Sequence, residues 1–175
     1  MLSARPPKDH SRFAGVQLPP DNRGPAAIYG VDALFHGPDF QGIKQIDGCG
    51  EQGIAAHVGA APAPKHWLTQ PLRNNWITDP LVLDGSFQMM ILWSLAQHHS
   101  PSLPCAAAKY RQFKKRFPKE GSRVVIQIIS AAAHRATADI EYLDEKGQLL
   151  ARLEGYECVI EESLRPAFRR NQLVR

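Results

Sequence analysis

The stretch "DPLVLDGSFQMMILWSLAQHH", at residues 79–99, most constrains how this chain folds. Its apolar side chains recur at helical spacing, and further apolar side chains fill the opposite face of the same helix. The first face carries Leu83, Phe87, Met90, Ile91 and Leu95, and the opposite face carries Met89 and Trp93. A helix that is apolar nearly all round is stable only when other elements bury it on most sides. The sequence therefore predicts a central helix over about residues 84–97.

Patterns typical of β-strands lie on both sides of this helix in the sequence. The predicted strands are at 45–49, 53–58, 106–117, 123–131, 136–143 and 148–160. The last two form a hairpin pattern, and Gly147 is suited to its tight turn. One buried helix followed by several long antiparallel strands predicts an α+β domain in which the sheet wraps around the helix.

The distribution of proline and charge predicts three segments. Residues 1–26 contain five prolines and have the composition of a linker or N-terminal extension. The folded domain is predicted at 27–162, and 163–175 is a basic C-terminal tail that includes "RPAFRRNQLVR". The chain has 175 residues, of which 43% are hydrophobic, and this size suits one compact domain.

Strand and loop signals also occur between the linker and the helix. An apolar run predicts a first strand at 28–35, which His36, Gly37 and Pro38 interrupt. Proline is suited to a first helical position, so a short helical turn is expected from Pro38 to about residue 43. The stretch "GAAPAPKHWLTQP" then predicts a long irregular loop, and loops of that length in compact domains are often functional.

Charge, apolar runs and cysteines limit the classes of function. No run of eighteen apolar residues occurs and no signal peptide is recognisable, so we expect no membrane span and a cytoplasmic protein. The net charge is +4, and no nucleic-acid-binding motif accompanies the basic stretches. We therefore expect an acidic protein partner rather than a nucleic acid. Cys49, Cys105 and Cys158 match no zinc spacing and are expected to be reduced.

Two polar side chains lie one turn apart on the same face of the apolar helix. They are Asp84 and Gln88 in "LDGSFQ". If the helix begins at Asp84, the carboxylate caps its N-terminus, a common role that contributes about 1 kcal/mol. Because the preceding "PLVL" is apolar, the carboxyl group can instead lie in an enclosed site, where burial would make it a proton donor near neutral pH. The residues alone favour the cap, and the enclosed site remains the alternative.

Three motifs in this chain resemble those of a known family. The corner "FHGPDFQGI", the helix motif "DPLVLDGSFQ" and the later "LPCAAAKYRQF" look like the C-terminal half of a polyketide synthase dehydratase domain. That family folds as a double hotdog, and its second hotdog has a "YGPxFQ"-type corner before a helix with a "HPxxLDxxxQ"-type motif. The resemblance covers about residues 28–160 and implies that this chain is a single hotdog.

The resemblance also implies roles for individual residues. Asp84 matches the catalytic aspartate, and Gln88 matches the amide that supports it. The corner and the helix residues beside the aspartate are implied to bind substrate, with Phe40 lining an acyl tunnel and Gln41 tying the corner to nearby backbone. This substrate-binding set is His36, Gly37, Pro38, Phe40, Gln41, Leu83 and Phe87.

The chain departs from the family pattern at three points. His36 stands where tyrosine is usual, and Asp79 stands where the family often has histidine. The family's other catalytic residue is a histidine in an "HxxxGxxxxP" motif on the first hotdog, and none of the seven histidines here fits that spacing. The chain therefore resembles half of a dehydratase.

The implied reaction is removal of water from a 3-hydroxyacyl thioester on an acyl carrier protein. Asp84 protonates the departing hydroxyl group, and a histidine base on a partner hotdog takes the α-proton. That partner is an upstream half or another copy of the chain, so a homo-oligomer is expected. The substrate arrives on phosphopantetheine, and the resemblance implies no metal and no other cofactor. Carrier proteins are usually acidic, which makes Arg111, Lys114 and Lys115 the expected docking residues.

Three alternatives remain at this point. The chain could be a non-catalytic scaffold hotdog that binds a carrier or an acyl chain inside a large synthase. It could be a hotdog thioesterase, in which Asp84 acts as a base or a nucleophile. It could also pair with itself, which would give two Asp84 sites that use a histidine outside the family motif.

Overall fold

The computed structural model describes residues 9–13, 15–29 and 34–170. Within these ranges six strands form one antiparallel sheet. The strands are β1 Ile43–Gly50, β2 Gly53–Val58, β3 Ser102–Gln112, β4 Ser122–Ala132, β5 Arg135–Leu143 and β6 Leu149–Ile160. Their order across the sheet is β1-β2-β4-β5-β6-β3, so that β1 and β3 are its two edges.

A long helix packs against this sheet. The described α-helices are α1 Pro25–Ile28, α2 Pro80–His98 and α3 Leu164–Arg170. α2 contacts β1, β2, β3 and β4, and it is buried on several faces, as its all-round apolar sequence requires. The prediction of an antiparallel sheet wrapped around a central helix is therefore confirmed. The helix is longer than the predicted 84–97 because it begins at Pro80.

The residue that caps α2 is Asp79, and the cap alternative for Asp84 is wrong. The Asp79 carboxylate accepts hydrogen bonds from the backbone N–H groups of Leu81 and Val82, both at 3.0 Å, and of Ala61 at 3.1 Å. Burial raises the pKa of Asp79, and these backbone hydrogen bonds oppose that change. Pro80 fills the first helical position, where no N–H group is needed. Asp84 consequently lies inside the helix, beyond its first turn.

Gly85 allows α2 to approach the sheet closely. A Cβ atom at this position would lie 2.6 Å from Cγ1 of Val58 on β2. That separation is well inside van der Waals contact, so any side chain here would push the helix away from the strand. Because Gly85 directly follows Asp84, this contact also helps to fix where Asp84 lies relative to the sheet.

Most of the predicted strands are confirmed. β1, β2, β4, β5 and β6 match the predictions within two residues at each end. Gly147 has a φ of 73°, as the turn of the β5–β6 hairpin requires. The strand predicted at 106–117 instead covers Ser102–Gln112, because Phe113 leaves the strand and is buried in a separate apolar cluster.

The strand predicted at 28–35 is wrong for the residues that the structure describes. Ile28 ends α1, and Leu34 and Phe35 belong to no strand, while residues 30–33 lie outside the described ranges. Pro25 at the first helical position and two following alanines favour a helical turn, from which Ile28 reaches the core. An apolar run this short does not distinguish a strand from a buried helical turn.

The described part of the predicted N-terminal extension packs on the sheet. Phe13 is buried in a second apolar cluster that also contains Ala55, Phe113, Val125, Leu143 and Leu149. Ala55 and Val125 alternate along their strands with residues of the main core, so this cluster covers the opposite face of the sheet. Further along, Pro19 accepts a hydrogen bond from the backbone N–H of Cys49 on the β1 edge.

Buried charges hold this segment in place. Glu141 on β5 is fully buried, and its carboxylate accepts hydrogen bonds from the hydroxyl of Ser11 at 2.5 Å and from the backbone N–H of Phe13 at 3.3 Å. Arg152 on β6 pairs with Glu141 at 2.7 Å and with Asp9 at 2.6 Å. Each buried charge therefore has a partner of opposite sign, as burial of a charge requires.

The C-terminal end of the described chain also contacts the core. Phe168 on α3 is buried, and its ring centroid lies 4.5 Å from that of Phe35. Residues 171–175 of the predicted basic tail lie outside the described ranges. Among the helices that the structure describes, none is long and apolar enough to cross a membrane.

Candidate active site

The chain turns a corner immediately before β1. Pro38–Phe40 forms a short 3-10 helix, which confirms the predicted helical turn although it ends earlier than residue 43. The Gln41 side-chain amide donates a hydrogen bond to the carbonyl of His36 at 3.1 Å and so closes the corner. Phe40 is 42% exposed, and its ring stacks on that of Trp67 with the centroids 5.3 Å apart. The corner thus places the Phe40 ring against the following loop and the Phe40 backbone carbonyl toward Gln88 of α2.

Asp84 and Gln88 meet this corner from the helix. The Gln88 Nε2 atom donates to Asp84 Oδ2 at 2.6 Å and to the carbonyl of Phe40 at 2.8 Å. Gln88 is fully buried, whereas the Asp84 side chain is 32% exposed. Gln88 therefore connects the corner to the aspartate and fixes one carboxyl oxygen.

His36 faces the same carboxyl group from the corner. Its Nε2 atom lies 4.0 Å from Asp84 Oδ2, and its side chain is only 14% exposed. Burial lowers the pKa of His36, and the neighbouring Asp84 opposes that change. The other ring nitrogen, Nδ1, is buried without a hydrogen-bond partner among the described residues. The site thus contains a histidine and an aspartate side by side.

The sequence analysis did not identify Tyr29, which completes the site. Its hydroxyl donates to Gln88 Oε1 at 2.9 Å and accepts from the backbone N–H of Ile43 at 2.8 Å. Burial raises the pKa of Tyr29 to about 12. No motif marks this tyrosine, but a glutamine on a buried helix needs partners for its amide, and that requirement points to a nearby hydroxyl donor.

Apolar side chains predicted to bind substrate flank the pair. Leu83 and Phe87 are partly buried and pack against the core, and Phe87 stacks on Tyr156 with centroids 5.5 Å apart.

The loop predicted at 59–71 is irregular except for a short 3-10 helix at Pro64–His66. Trp67 in this loop lies between Phe40 and Trp76, and Trp76 lines a cavity of about 420 Å³. An aromatic row therefore leads from the corner into this cavity.

The predicted docking residues lie elsewhere in the fold. Arg111 is on the edge strand β3 and pairs with Glu154 at 3.7 Å. Lys114 and Lys115 follow β3, and Lys114 donates to the side chain of Gln148 at 3.1 Å. All three side chains belong to exposed residues, so the structure does not bring them into the Asp84 cluster.

The geometry of the cluster defines what it can do chemically. One oxygen of Asp84 is held by an amide, and the partly exposed carboxyl group faces a histidine. Such an arrangement suits proton transfer to or from an organic substrate. Across the ranges described above, no cluster of three or more histidine, cysteine or acidic side chains is arranged to hold a metal ion.

A family model identifies the chain. Residues 25–167 match the model described as "Polyketide synthase dehydratase N-terminal domain". The chain belongs to the polyketide synthase dehydratase family. Residues 25–167 include the corner, all of α2 and every strand of this dehydratase-family domain.

Solved structures of dehydratase domains share the fold. A trans-AT polyketide synthase dehydratase domain from Brevibacillus brevis is 17% identical, covers 83% of this chain and has a TM-score of 0.65. The dehydratase domain of a mycocerosic acid synthase-like polyketide synthase is 22% identical over 90% of this chain, also with a TM-score of 0.65. The dehydratase domain of PpsC from Mycobacterium tuberculosis, solved with C12:1-CoA, is 21% identical over 81% of this chain with a TM-score of 0.62. This domain therefore has the hotdog fold.

The chain spans only part of its relatives. It covers 50%, 55% and 52% of the three dehydratase structures above. A polyunsaturated fatty acid synthase protein from Thraustochytrium sp. (strain ATCC 26185 / S-3) is 29% identical over 87 residues, which is half of this chain but 3% of that protein. The dehydratase-family domain described here is thus about half the length of those dehydratase domains.

Proposed function

We propose that this chain is the acid-bearing half of a dehydratase and that it removes water from 3-hydroxyacyl thioesters. The motif around Asp84 and Gln88 supports equivalence to the C-terminal hotdog of the family, whereas the matching family model is described as an N-terminal domain. The observation that carries the proposal is the Asp84 carboxyl group. It is partly exposed on the central helix, one of its oxygens is held by Gln88, and it lies against the corner. A positioned, partly exposed carboxylic acid suits protonation of a departing hydroxyl group.

The proposed reaction is an elimination. A histidine on a partner hotdog removes the α-proton, which the thioester carbonyl makes acidic. The electrons of that C–H bond form the carbon–carbon double bond, and the C–O bond at the β-carbon breaks. Asp84 donates its proton to the departing oxygen, so that an enoyl thioester and water form. The histidine has gained the α-proton and Asp84 has lost one proton, so the net charge of the two groups together is unchanged.

A second hotdog is proposed as the partner because β3 is an open edge. Residues 104–111 of β3 are exposed, and β6 is its neighbour on one side only. By contrast, the N-terminal segment runs along the other edge, where Pro20 bridges to Gly48. An open edge of this length is a template for pairing with another strand. The partner is an upstream half or a second copy of this chain.

An acyl carrier protein is proposed to deliver the substrate on phosphopantetheine. The net charge of +4 and the exposed side chains of Arg111, Lys114 and Lys115 favour an acidic partner. No further cofactor enters the proposed elimination, because it transfers only protons and breaks one C–O bond.

The position of His36 favours a second candidate, in which two copies of the chain work without a separate histidine-bearing half. His36 Nε2 and Asp84 Oδ2 are 4.0 Å apart, which is too far for a direct hydrogen bond. A base and an acid at this spacing can face the α-hydrogen and the β-hydroxyl group on one side of a substrate. In this candidate His36 is the base.

A turnover assay tests the proposal. The chain alone, and the chain mixed with a first hotdog that carries "HxxxGxxxxP", are given 3-hydroxyacyl or plain acyl thioesters of pantetheine. We expect enoyl formation from the 3-hydroxyacyl thioester in the mixture. Enoyl formation by the chain alone that His36→Asn abolishes would favour the second candidate. Release of free thiol from both substrates would identify a thioesterase, and no turnover in either sample would contradict the proposal.

A further inference from the structure

The amide of Gln88 fits its surroundings in one orientation only. Its nitrogen faces two acceptors, the Phe40 carbonyl at 2.8 Å and Asp84 Oδ2 at 2.6 Å. An NH₂ group has two hydrogens and therefore satisfies both. If the amide rotated by half a turn, its oxygen would face these two acceptors, and both contacts would be repulsive while Asp84 Oδ2 carries no proton.

Tyr29 favours the observed orientation of that amide. Its hydroxyl oxygen accepts the backbone N–H of Ile43, and a backbone N–H can only donate. The single hydroxyl hydrogen of Tyr29 is then available for one acceptor, and Gln88 Oε1 lies 2.9 Å away. A rotated Gln88 would present its NH₂ group to the Tyr29 hydroxyl, and the hydroxyl hydrogen would then have no acceptor on Gln88. The direction of each hydrogen bond therefore runs from Ile43 through Tyr29 to Gln88.

We infer that Tyr29 is a positioning residue, which fixes the Gln88 amide so that Asp84 Oδ2 is held as an acceptor and Oδ1 carries the proton. The hydrogen bond from Gln88 Nε2 to Oδ2 at 2.6 Å is stronger when Oδ2 is the unprotonated oxygen, and it therefore favours a proton on Oδ1. The transfer of that proton to substrate rests on the proposed function. The fixed orientation of the Gln88 amide does not rest on the proposed function, because it follows from the hydrogen bonds alone.

Tyr29→Phe removes the hydroxyl and leaves the ring. A matched control is Tyr142→Phe, because Tyr142 is also buried and its hydroxyl lies 3.0 Å from Ser86 Oγ on the same helix. Both variants remove one buried hydroxyl group that contacts α2. In the active mixture of hotdogs, we expect Tyr29→Phe to lower kcat by up to about 100-fold, as misplacement of a reacting group does, with little change in KM. Tyr142→Phe should keep kcat close to that of the wild type.

A double-mutant cycle separates positioning from general damage. If Tyr29 acts through Gln88, adding Tyr29→Phe to a Gln88→Ala variant should lower kcat no further. If the hydroxyl only stabilises the fold, the two losses in kcat should multiply, and this result would overturn the inference.

A spectroscopic measurement does not depend on turnover. In the ¹⁵N-labelled full chain, the side-chain amide signals of Gln88 are those that disappear in Gln88→Ala. We expect these signals to be protected from exchange with water in the wild type and in Tyr142→Phe, and to lose that protection in Tyr29→Phe. Unchanged signals in Tyr29→Phe would overturn the inference. Altered signals in a chain without dehydratase turnover would uphold the positioning role and reject the proposed function instead.

Discussion

At the residue scale, the two ring nitrogens of His36 have different surroundings. Nε2 faces Asp84, whereas Nδ1 is buried with no hydrogen-bond partner in the described part of the chain. A protonated imidazole carries a hydrogen on both nitrogens, so charging His36 would bury an unsatisfied donor. This agrees with the direction of its pKa change, which burial lowers and Asp84 opposes without reversing. His36 is therefore expected to be neutral at neutral pH.

This asymmetry predicts a pH-dependent stability. The pKa of His36 in the folded state lies below its unfolded value of about 6.5, so the unfolded state binds more protons between the two values. The contribution of neutral His36 to the free energy of unfolding is complete above about pH 6.5, and it is lost as the pH falls below that value. We expect the melting temperature of His36→Asn to fall less than that of the wild type between about pH 7 and about pH 5.

The exposed His134 supplies the control for this measurement, because its side chain is 81% exposed. His134→Asn should follow the wild-type pH profile of the melting temperature. If His36→Asn also follows that profile, the account of His36 is wrong.

At the element scale, α2 shows what the sequence could predict and what it could not. Its all-round apolar pattern is local, so its existence and its burial followed from the sequence. The predicted start of α2 was four residues too late, although Asp79 followed by Pro80 is itself a local start signal. The contact of Asp79 with Ala61 across a long loop, which also holds this cap, has no local pattern in the sequence. The same limit applies to Tyr29, whose partners are far away in sequence.

The approach of α2 to β2 predicts the effect of Gly85→Ala. Alanine is the better helix former by about 1 kcal/mol, yet its Cβ would lie 2.6 Å from Val58 Cγ1. We expect a net loss of about 1–3 kcal/mol in the free energy of unfolding, as for other overpacked cores. Urea denaturation of the wild type and the variant measures this loss.

Val58→Ala provides the matched test of that cause. In the Val58→Ala background the overlapping methyl groups are absent, so Gly85→Ala should cost less than it does in the wild type. Equal costs in the two backgrounds would show that the contact with Val58 is not the reason.

At the scale of the whole molecule, long-range contacts hold the N-terminal segment on the sheet, and the sequence did not predict this packing. Residues 9–13 and 15–20 belong to the segment 1–26, which has the composition of a linker, yet the buried Glu141 and Arg152 hold their N-terminal end on the sheet. These partners lie more than a hundred residues away in sequence, and no local pattern predicts such a contact. The sheet itself was predictable, because each strand carries its own apolar pattern.

The open β3 edge predicts association. Light scattering of the chain alone at micromolar concentration should give a dimer, or a mixed dimer when a first hotdog is added. Ala107→Lys places a charge in the middle of this exposed edge strand and should weaken the association, since natural sheet edges use lysine for that purpose. Ala131→Lys, at an exposed position of the interior strand β4, should leave it unchanged. A well-folded wild-type monomer in both samples would contradict the prediction.

The central claim is that Asp84 is the acid of a dehydratase, and Asp84→Asn tests it most directly. Because Asp79 caps α2, the variant should keep the melting temperature of the wild type. Enoyl formation in the mixture with a histidine-bearing hotdog should fall by about 10²- to 10⁴-fold, because an amide cannot deliver the proton. Asp39→Asn, which changes an exposed carboxyl group in the corner, should keep full turnover. An Asp84→Asn variant with unchanged melting and unchanged enoyl formation would contradict the account.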